Sequence, residues 1–299
     1  MKKIIVVAGA TGNLGGQIVT NLVEQGAEVR ALVRPTSNTE TVKNLQKQGV
    51  TVMTIDVWNV ENIAKACVGA SCVVSAMSGL REVILDAQKV LLDAAVAAGV
   101  PRFIPSDYAL DFTKFEDGSN RNLDLRREFH THLDKAPIKA TTIFNGAFMD
   151  MLTGQMPMIL FSKKRVFHWG NGDQRMDFTT IKDIAKYTAF AALDDTTPRF
   201  LRIAGEQLSA VEIKDVVSEV SGEKYSMLRP GGLGMFGFII KMTRFFAPSK
   251  GELYPAWQGM QYMHNMLDGR GLMNPLDNNR YQNIRWTRVR DVLAKHLNP

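Results

Sequence analysis

The stretch that decides the fold is residues 3–15, KIIVVAGATGNLG. It opens with a continuous apolar run rich in β-branched side chains, which is typical of a strand buried on both faces of a parallel sheet. Gly9, Gly12 and Gly15 follow this strand and open an amphipathic helix over residues 14–25. A tight turn, a close approach to a ligand and close packing of helix on strand each need a glycine. The spacing therefore predicts a phosphate-binding turn for a dinucleotide, with the phosphates at the helix N-terminus.

The rest of the first half alternates between strands and helices. Further strands are predicted at residues 28–33, 51–55, 71–75, 102–104 and 139–144, and helices at 39–48, 60–67, 81–98 and 122–134. This alternation predicts an α/β protein with a doubly wound parallel sheet over residues 1–150. Later the alternation weakens, with helices at 180–192, 209–220 and 287–297. We expect residues 151–299 to form a smaller α+β substrate lobe that is not strictly separate from the first domain.

The end of the second predicted strand indicates which dinucleotide is bound. In NAD-binding proteins of this kind, an acidic residue there accepts a hydrogen bond from the ribose 2′-hydroxyl. This chain has ALVRP at residues 31–35, with Arg34 19 residues after Gly15 and no acidic residue. A guanidinium attracts a 2′-phosphate, and Ser37 and Lys43 follow within reach, so we expect NADP(H). The alternative is that Arg34 is a solvated surface residue.

Two further strand ends bear on the cofactor. Asp56 ends the third predicted strand, where a carboxylate can accept a hydrogen bond from the adenine amine or can instead cap the next helix. Ala76 and Met77 follow the fourth strand, in a stretch of small residues that lets the backbone run close to a dinucleotide. We expect these positions to line the cofactor cleft.

The composition excludes several other classes of protein. Hydrophobic residues make up 45% of the 299 residues and charged residues 22%, which is ordinary for a soluble globular protein. The net charge of +6 is small for this length, so we expect no nucleic-acid partner. The N-terminal apolar run is too short for a secretory signal, and no later run approaches the ~20 residues that span a bilayer. We expect a cytoplasmic protein without stable membrane insertion.

Neither the cysteines nor the histidines predict a metal site. Cys67 and Cys72 belong to no CxxC pair and are expected to be buried, reduced thiols. His130 and His132 are two residues apart, so on a helix they point to different faces. We therefore expect no bound metal ion.

Several motifs together resemble the NmrA-like family, an atypical branch of the short-chain dehydrogenase/reductase superfamily that includes isoflavone-reductase-like enzymes. The motifs are GATGNLG at 9–15, ALVRP at 31–35, RFIPSDYALDF at 102–112, FNGAF at 144–148 and DFTTIKDIA at 177–185. The resemblance covers about residues 3–206 and is loose beyond them. It implies an NADP-binding Rossmann domain, a smaller C-terminal lobe and a substrate cleft between the two.

The resemblance also implies positions for part of the site. Along the pyrophosphate it places three residues of the glycine turn: Thr11, Asn13 and Leu14. Around the nicotinamide it places four residues that follow strands five and six: Pro105, Ser106, Asn145 and Phe148.

The usual proton donors of this superfamily are absent from the sequence. Tyr108 is followed four residues later by Phe112, so the Tyr-x-x-x-Lys motif is missing. Isoflavone-reductase-like enzymes use a lysine on the helix before strand six, and the corresponding stretch here carries Arg126 and Arg127 but no lysine. An arginine is effectively never deprotonated, so it is a poor proton donor, although it can stabilise an oxyanion.

Two residues remain as catalytic candidates. Tyr108 follows strand five at the carboxyl-terminal edge of the sheet, where its phenol can hydrogen-bond a substrate oxygen. Lys114 can lower the pKa of that phenol or donate a proton itself. The alternatives are a packing or surface role for Tyr108 and a solvated loop position for Lys114. Asp107 and Asp111 can pair with the two arginines of the helix before strand six as structural braces.

Residues 233–266 combine many Met and aromatic side chains, partly at helical spacing. Three interpretations fit this pattern. The segment can be an amphipathic helix packed on the lobe or on a second subunit, an apolar wall over the nicotinamide that suits an aromatic substrate, or a membrane-surface helix flanked by Lys241 and Arg244.

Together these patterns indicate an NADPH-dependent reductase that transfers hydride to a small aromatic or quinonoid substrate. Quinones and similar electrophiles need less positioned acid catalysis than ketones, which agrees with the missing donor motifs. The alternative is a non-catalytic NADP(H) redox sensor that binds a regulatory protein partner. The sequence leaves the substrate's identity and a homodimer open, and the missing Tyr-x-x-x-Lys motif disfavours a sugar-nucleotide epimerase.

Overall fold

The computed structural model describes residues 2–56, 58–249 and 251–297. Strands and helices alternate through the first half of the chain. The strands are β1 (Ile4–Ala8), β2 (Glu28–Val33), β3 (Thr51–Thr54), β4 (Cys72–Ser75), β5 (Arg102–Ile104), β6 (Lys139–Ala140) and β7 (Thr142–Phe144). The α-helices between them are α1 (Asn13–Glu24), α2 (Thr39–Lys47), α3 (Val60–Cys67), α4 (Gln88–Ala97) and α5 (Arg121–Leu133).

The second half contains shorter strands and five more helices among the described residues. The strands are β8 (Ala147–Phe148), β9 (Ile159–Leu160), β10 (Arg165–Phe167), β11 (Met176–Thr179), β12 (Phe200–Arg202), β13 (Glu206–Leu208) and β14 (Ser226–Leu228). The helices are α6 (Ile181–Leu193), α7 (Ala210–Ser221), α8 (Leu233–Phe246), α9 (Ala256–Leu267) and α10 (Val289–Leu297). The capping box at the start of α7, between Ser209 and Glu212, is formed as the sequence predicts.

The main sheet is parallel and doubly wound, which confirms the predicted fold class. Its strand order is β3-β2-β1-β4-β5-β6. Directly after β6, β7 pairs in parallel with β12, so a strand from the second half of the chain extends this layer. The order reverses between β1 and β4, and in such sheets a ligand binds outside the carboxyl ends of the strands at that reversal.

The alternating side chains of β1 fill two separate apolar layers. Ile5 and Val7 pack into a cluster with residues of α1 and α6. Val6 and Ala8 pack into a second cluster with residues of α3 and α4. Helices thus cover both faces of the sheet, which explains why β1 is apolar along its whole length. Because α6 packs on the first layer, the division of the chain at about residue 150 stays a prediction.

A third apolar cluster forms the core of the smaller lobe. It joins Phe178 of β11, Ile213 of α7, Phe236 of α8, Met263 of α9 and Leu293 of α10. Two three-stranded sheets, β8-β11-β13 and β9-β10-β14, belong to this part of the chain. The lobe therefore combines helices and short strands, as the α+β prediction requires.

The single helix predicted over residues 81–98 is interrupted in the structure. A π-helical turn, Glu82–Ala87, precedes α4. At the junction the Gln88 side chain is buried, and its Nε2 donates to the Ile84 carbonyl at 2.9 Å. Its Oε1 accepts from the backbone N–H of Ser106 at 2.8 Å, so this irregular turn fixes the loop that follows β5.

Helix α8 packs on the lobe through one face only. Phe236 and Ile240 are buried, whereas Met235, Phe238 and Phe245 are exposed. The first of the three sequence interpretations, an amphipathic helix on the lobe, therefore describes its inner face. Within the described part of the chain, no helix combines the length and the apolar character that crossing a membrane would demand.

Candidate active site

A cleft of about 630 Å³ opens at the carboxyl ends of the first four strands. Its walls come from the loops after β1, β2, β3 and β4, at the reversal of strand order. Seven residues that the sequence predicts for the cofactor line it: Gly9, Thr11, Gly12, Arg34, Asp56, Ala76 and Met77. Residues from separate strand ends are thus brought together at one place.

The glycine turn has no room for side chains at two of its three positions. Gly9 has φ +81°, and a Cβ there would lie 2.5 Å from the Ala76 carbonyl oxygen. A Cβ on Gly15 would lie 2.1 Å from the Gly9 carbonyl oxygen. Gly12 precedes α1 without a capping side chain, and the first turn of α1, which includes Asn13 and Leu14, carries no acidic residue. The helix terminus therefore offers its N–H groups and dipole to an anion.

The loop after β2 supplies a cation at the mouth of the cleft. Arg34 is exposed and, within the described ranges, forms no ion pair with a carboxylate. The Ser37 N–H donates to the Arg34 carbonyl at 2.9 Å. The Ser37 hydroxyl is buried, and the described residues give it no hydrogen-bond partner. Lys43 is exposed on α2. An uncompensated guanidinium beside an unsatisfied hydroxyl suits a phosphate group.

Asp56 also lines the cleft and does not cap α3. Its Oδ1 accepts from the Trp58 N–H at 3.1 Å, while Asn59 caps α3 by accepting from the Asn62 N–H at 3.0 Å. The capping alternative for Asp56 is therefore wrong, because Asn59 occupies that position. Trp58, which the sequence argument missed, is exposed and lines the cleft beside Asp56. A large aromatic directly after a strand end was the signal that could have found it.

Other cleft-lining residues were also missed. They include Pro35 and Thr36 after β2, Ser78 after β4, and Glu82 and Val83 of the π-helical turn. The first three adjoin predicted residues, so a wider window around each strand end would have included them. The last two depend on the irregular turn, which the apolar pattern does not reveal.

The residues predicted around the nicotinamide lie beyond the lining of this cleft but are joined to it. The Ser106 hydroxyl donates to the Met77 carbonyl at 2.6 Å, which links the loops after β5 and β4. Pro105 precedes this contact, and Phe148 ends β8 in a half-buried position. The structure therefore brings Ser106 and Met77 together at the end of the cleft nearer β5.

Asn145 is held tightly in the turn after β7. Its backbone N–H donates to the Ala109 carbonyl at 3.0 Å, and its Nδ2 donates to the Gly146 carbonyl at 3.1 Å. Its Oδ1 is buried, and no described residue donates to it. Gly146 has φ +69°, and a Cβ there would lie 2.3 Å from the Asp177 carbonyl oxygen. The Asn-Gly pair thus fits a turn that presses against β11.

The two catalytic candidates do not meet in the structure. Tyr108 is buried in the cluster shared by α1 and α6, its hydroxyl is close to that of Thr188, and burial raises its pKa strongly. Lys114 donates from Nζ to the Leu272 carbonyl at 2.7 Å. Tyr108 is not among the residues that line the cleft. The catalytic roles of Tyr108 and Lys114 stay predictions.

The prediction that Asp107 and Asp111 pair with the arginines of α5 is wrong. Asp107 is buried, and its Oδ2 contacts His130 Nε2 at 2.6 Å. Asp111 accepts from Arg202 Nε at 2.7 Å rather than from an arginine of α5. The arginines of α5 make other contacts, because tertiary packing and not sequence proximity selects these pairs.

His130 is oriented from both sides. Arg199 Nη2 lies 3.1 Å from His130 Nδ1. An arginine can only donate, so Nδ1 accepts and Nε2 carries the proton that is donated to Asp107.

Among the described residues no group of His, Cys, Asp or Glu has the arrangement of a metal site. Burial raises the pKa of Cys67 to about 11 and that of Cys72 to about 12, so both are inert thiols.

A buried carboxyl group of the small lobe has a raised pKa. Asp177 of β11 is buried and accepts from Gln207 Nε2 at 2.6 Å and from the Met273 N–H at 3.0 Å. Burial raises its pKa to about 6, although these hydrogen bonds and the nearby Lys114 oppose the rise. This carboxyl lies directly behind the Asn145–Gly146 turn.

The parallel sheet and its uncapped glycine turn define an α/β protein of the dinucleotide-binding class. The sequence model of the NmrA-like family matches residues 1–229, so the chain belongs to this family.

Three comparisons illustrate the relationship. Pinoresinol reductase 1 of Arabidopsis thaliana is 28% identical over 240 residues, which are 75% of this chain and 76% of that protein. AtPrR2, solved with NADP+ and (+)-pinoresinol, superposes with a TM-score of 0.84 at 20% identity and 99% coverage of both chains. The NADPH-dependent quinone oxidoreductase of Escherichia coli in complex with NADPH superposes with a TM-score of 0.78 at 17% identity, covering 98% and 100% of the two chains. The fold is thus shared along almost the whole chain.

Proposed function

We propose that the protein is an NADPH-dependent reductase of a small aromatic or quinonoid substrate. The observation that carries this proposal is the cleft, which is lined both by the glycine turn before the open N-terminus of α1 and by Arg34 at the end of β2, a guanidinium without an ion-pair partner among the described residues. The similarity to pinoresinol reductases and to a quinone oxidoreductase supports the same class of reaction. NADPH, when bound, would supply the hydride.

The residues of the cleft suit each part of NADP(H). Gly9, Gly12 and the first turn of α1 would hold the pyrophosphate through backbone N–H groups. Arg34 would bind the 2′-phosphate, because a guanidinium can donate two parallel hydrogen bonds to its oxygens. Asp56 would accept from the adenine amine. The turn fits this role because its glycines let the end of β1, the start of α1 and the loop after β4 pack closely, which leaves the backbone N–H groups of the helix terminus open to the cleft.

The first experiment measures binding of NADPH and NADH by calorimetry to the wild type and to Arg34→Asp. Losing a bidentate charged contact and adding a repelling carboxylate should weaken NADPH binding by about 100-fold or more, with little effect on NADH. Arg285→Asp makes the same charge change at another exposed arginine and is the control. Equal losses for both dinucleotides would overturn the 2′-phosphate assignment.

The second experiment measures NADPH oxidation with a panel of quinones and aromatic enones. Turnover with one of them establishes the reductase. Tight binding of NADPH without turnover on the whole panel would favour the alternative function, a redox sensor with a protein partner. The exposed apolar face of α8, which includes Phe238 and Phe245, is the feature that suits such a partner. A homodimer and a cytoplasmic location stay predictions.

A further inference from the structure

Arg126 of α5 is fixed against the loop that borders the cofactor cleft. Its Nη1 donates to the Asn122 carbonyl at 2.8 Å, and its Nε donates to the Ser106 carbonyl at 3.2 Å. The Ser106 hydroxyl in turn binds the carbonyl of Met77, which lines the cleft. The guanidinium is therefore held close to the ends of β4 and β5 by backbone atoms, with its Nη2 group left for another acceptor.

The charge of Arg126 is not neutralised by a neighbouring carboxylate. Arg127, the next residue, pairs with Asp117 at 2.8 Å and with Asp124 at 2.7 Å. Within the described ranges no such pair exists for Arg126 or for Arg121, which donates to the Leu253 carbonyl at 2.7 Å. Arg127 is thus a structural brace, whereas Arg126 keeps its charge available for an anion.

Tyr262 of α9 brings a phenol to the same place. It is half-buried, and its neighbour Gln261 accepts from the backbone N–H of Arg121, at the start of α5, at 3.3 Å. The Tyr262 side chain therefore lies beside the turn of α5 that contains Asn122 and leads to Arg126. Burial raises the pKa of its phenol to about 12, against the opposing charges of Arg126 and Arg121. The phenol is therefore protonated at neutral pH, close to a cation that favours its ionised form. A proton donor needs both properties.

We propose that Arg126 binds the acceptor oxygen on which negative charge develops and that Tyr262 donates a proton to that oxygen. This inference rests on the reductase function proposed above. Hydride from NADPH forms a new C–H bond on the acceptor, and the π electrons of the acceptor move to its oxygen. The Tyr262 O–H bond then breaks and a new O–H bond forms. Water returns a proton to the Tyr262 phenolate.

The two proposed roles predict that loss of each residue affects the reduction of different classes of acceptor to different extents. The oxyanion formed from a ketone or an enone is more basic than the phenolate of tyrosine, so proton transfer from Tyr262 is favourable. The oxyanion formed from a quinone is a weaker base and can leave unprotonated. Tyr262 should therefore matter for ketones and enones, whereas Arg126 should matter for every acceptor.

The test compares Arg126→Gln, Arg126→Lys, Tyr262→Phe and, as the matched control for the phenol, Tyr254→Phe at an exposed tyrosine. Removing a charged donor to an oxyanion should lower kcat by about 100-fold for all acceptors, and Arg126→Lys should restore most of it. Tyr262→Phe should lower kcat for enones by about 100-fold and for quinones by less than about threefold. Tyr254→Phe should resemble the wild type.

A second readout does not require turnover. 4-Nitrophenol is added with NADP+, and its ionisation is followed by visible absorbance as the pH is changed. The wild type should lower the pKa of the bound nitrophenol, and Arg126→Gln should abolish that shift. An unchanged shift and an unchanged kcat in Arg126→Gln would overturn the inference. Equal losses for quinones and enones in Tyr262→Phe would overturn the role of Tyr262.

The cofactor measurement separates this inference from the proposed function. If these variants bind NADPH like the wild type and the nitrophenol shift does not depend on Arg126, only the inference fails. If the wild type binds no NADPH, the proposed function itself fails.

Discussion

The two ends of the site are built in different ways. At the proposed cofactor end, each contribution is a short contiguous segment that follows a strand, and the glycine turn leaves no room for side chains at Gly9 and Gly15. At the proposed acceptor end, on α5 and α9, side chains meet across long stretches of chain. Asn120 Nδ2 donates to Asn265 Oδ1 at 3.2 Å, and Arg121 reaches Leu253. The first end tolerates almost no change in shape, whereas the second can exchange side chains while the backbone stays in place.

Among substitutions that add a single methyl group, the largest effect is expected for Gly15→Ala, because the added Cβ would lie 2.1 Å from the Gly9 backbone oxygen. Overpacking of this kind costs about 1–3 kcal/mol, and here it also displaces the phosphate turn, so NADPH affinity should fall at least about tenfold. Calorimetric titration with NADPH measures it. Gly16→Ala is the control, since its Cβ would be 3.4 Å from the Ala10 carbonyl oxygen. Equal affinities in the two variants would contradict the proposed role of the glycine turn.

Gly146→Ala should give the next largest effect, at the boundary between the two ends. The residue has φ +69°, and its Cβ would lie 2.3 Å from the Asp177 carbonyl oxygen. Strain and overpacking together should lower the free energy of unfolding by about 2 kcal/mol or more. Gly222→Ala has the same φ of +69° with open space around it, so it isolates the strain. Urea unfolding of both variants measures the difference, and identical losses would show that the contact with Asp177 does not matter.

A pH-dependent effect should follow from Asp177. Its pKa of about 6 in the folded protein exceeds the ordinary value, so between the two values the folded state binds a proton that the unfolded state has lost. The free energy of unfolding should therefore fall as the pH rises from about 4 to about 6, by about 3 kcal/mol in all, and then level off. Asp177→Asn should have a lower stability at acid pH and a flatter dependence. A slope equal to that of the wild type would contradict the assignment.

The smallest effect is expected for Tyr108→Phe. The hydroxyl is buried away from the cleft lining, so turnover should change by less than about twofold, a difference well under 1 kcal/mol. Lys114→Ala removes one hydrogen bond to Leu272 and should cost about 1 kcal/mol of stability with a similarly small effect on turnover. Steady-state kinetics of both variants measure these changes in turnover. A loss of about 100-fold in either variant would support the catalytic roles that the sequence predicts.

The contrast between the two ends also explains how far the sequence could be interpreted. The strands, the helices and the glycine turn follow from local patterns, because each depends on residues within one short window. Arg34 could be proposed as a cofactor-binding residue for the same reason. Tyr262 lies more than a hundred residues beyond Arg126, so no local pattern connects it to α5.

The partners of the buried carboxylates could not be predicted from the sequence for the same reason. Asp107, Asp111 and the arginines of α5 are close in sequence, which made them plausible partners. The structure pairs Asp107 with His130 and Asp111 with Arg202 instead. Asp107 thus binds a histidine of α5 itself, and Asp111 binds an arginine of the distant strand β12, so the tertiary packing selects each donor and proximity along the chain does not.

The π-helical turn Glu82–Ala87 ties the contacts of Gln88 to the length of this segment. A π turn holds about one residue more than an α-helical turn and absorbs it locally, so the helix continues on both sides. Deleting one residue there would close the turn to the α-helical spacing, and the Ile84 carbonyl, which now accepts from the Gln88 side chain, would return to the backbone hydrogen bonds of the helix. Gln88 would then lose one of the two contacts that hold its side chain between this turn and the Ser106 N–H. The extra residue and the position of the loop after β5 therefore depend on each other.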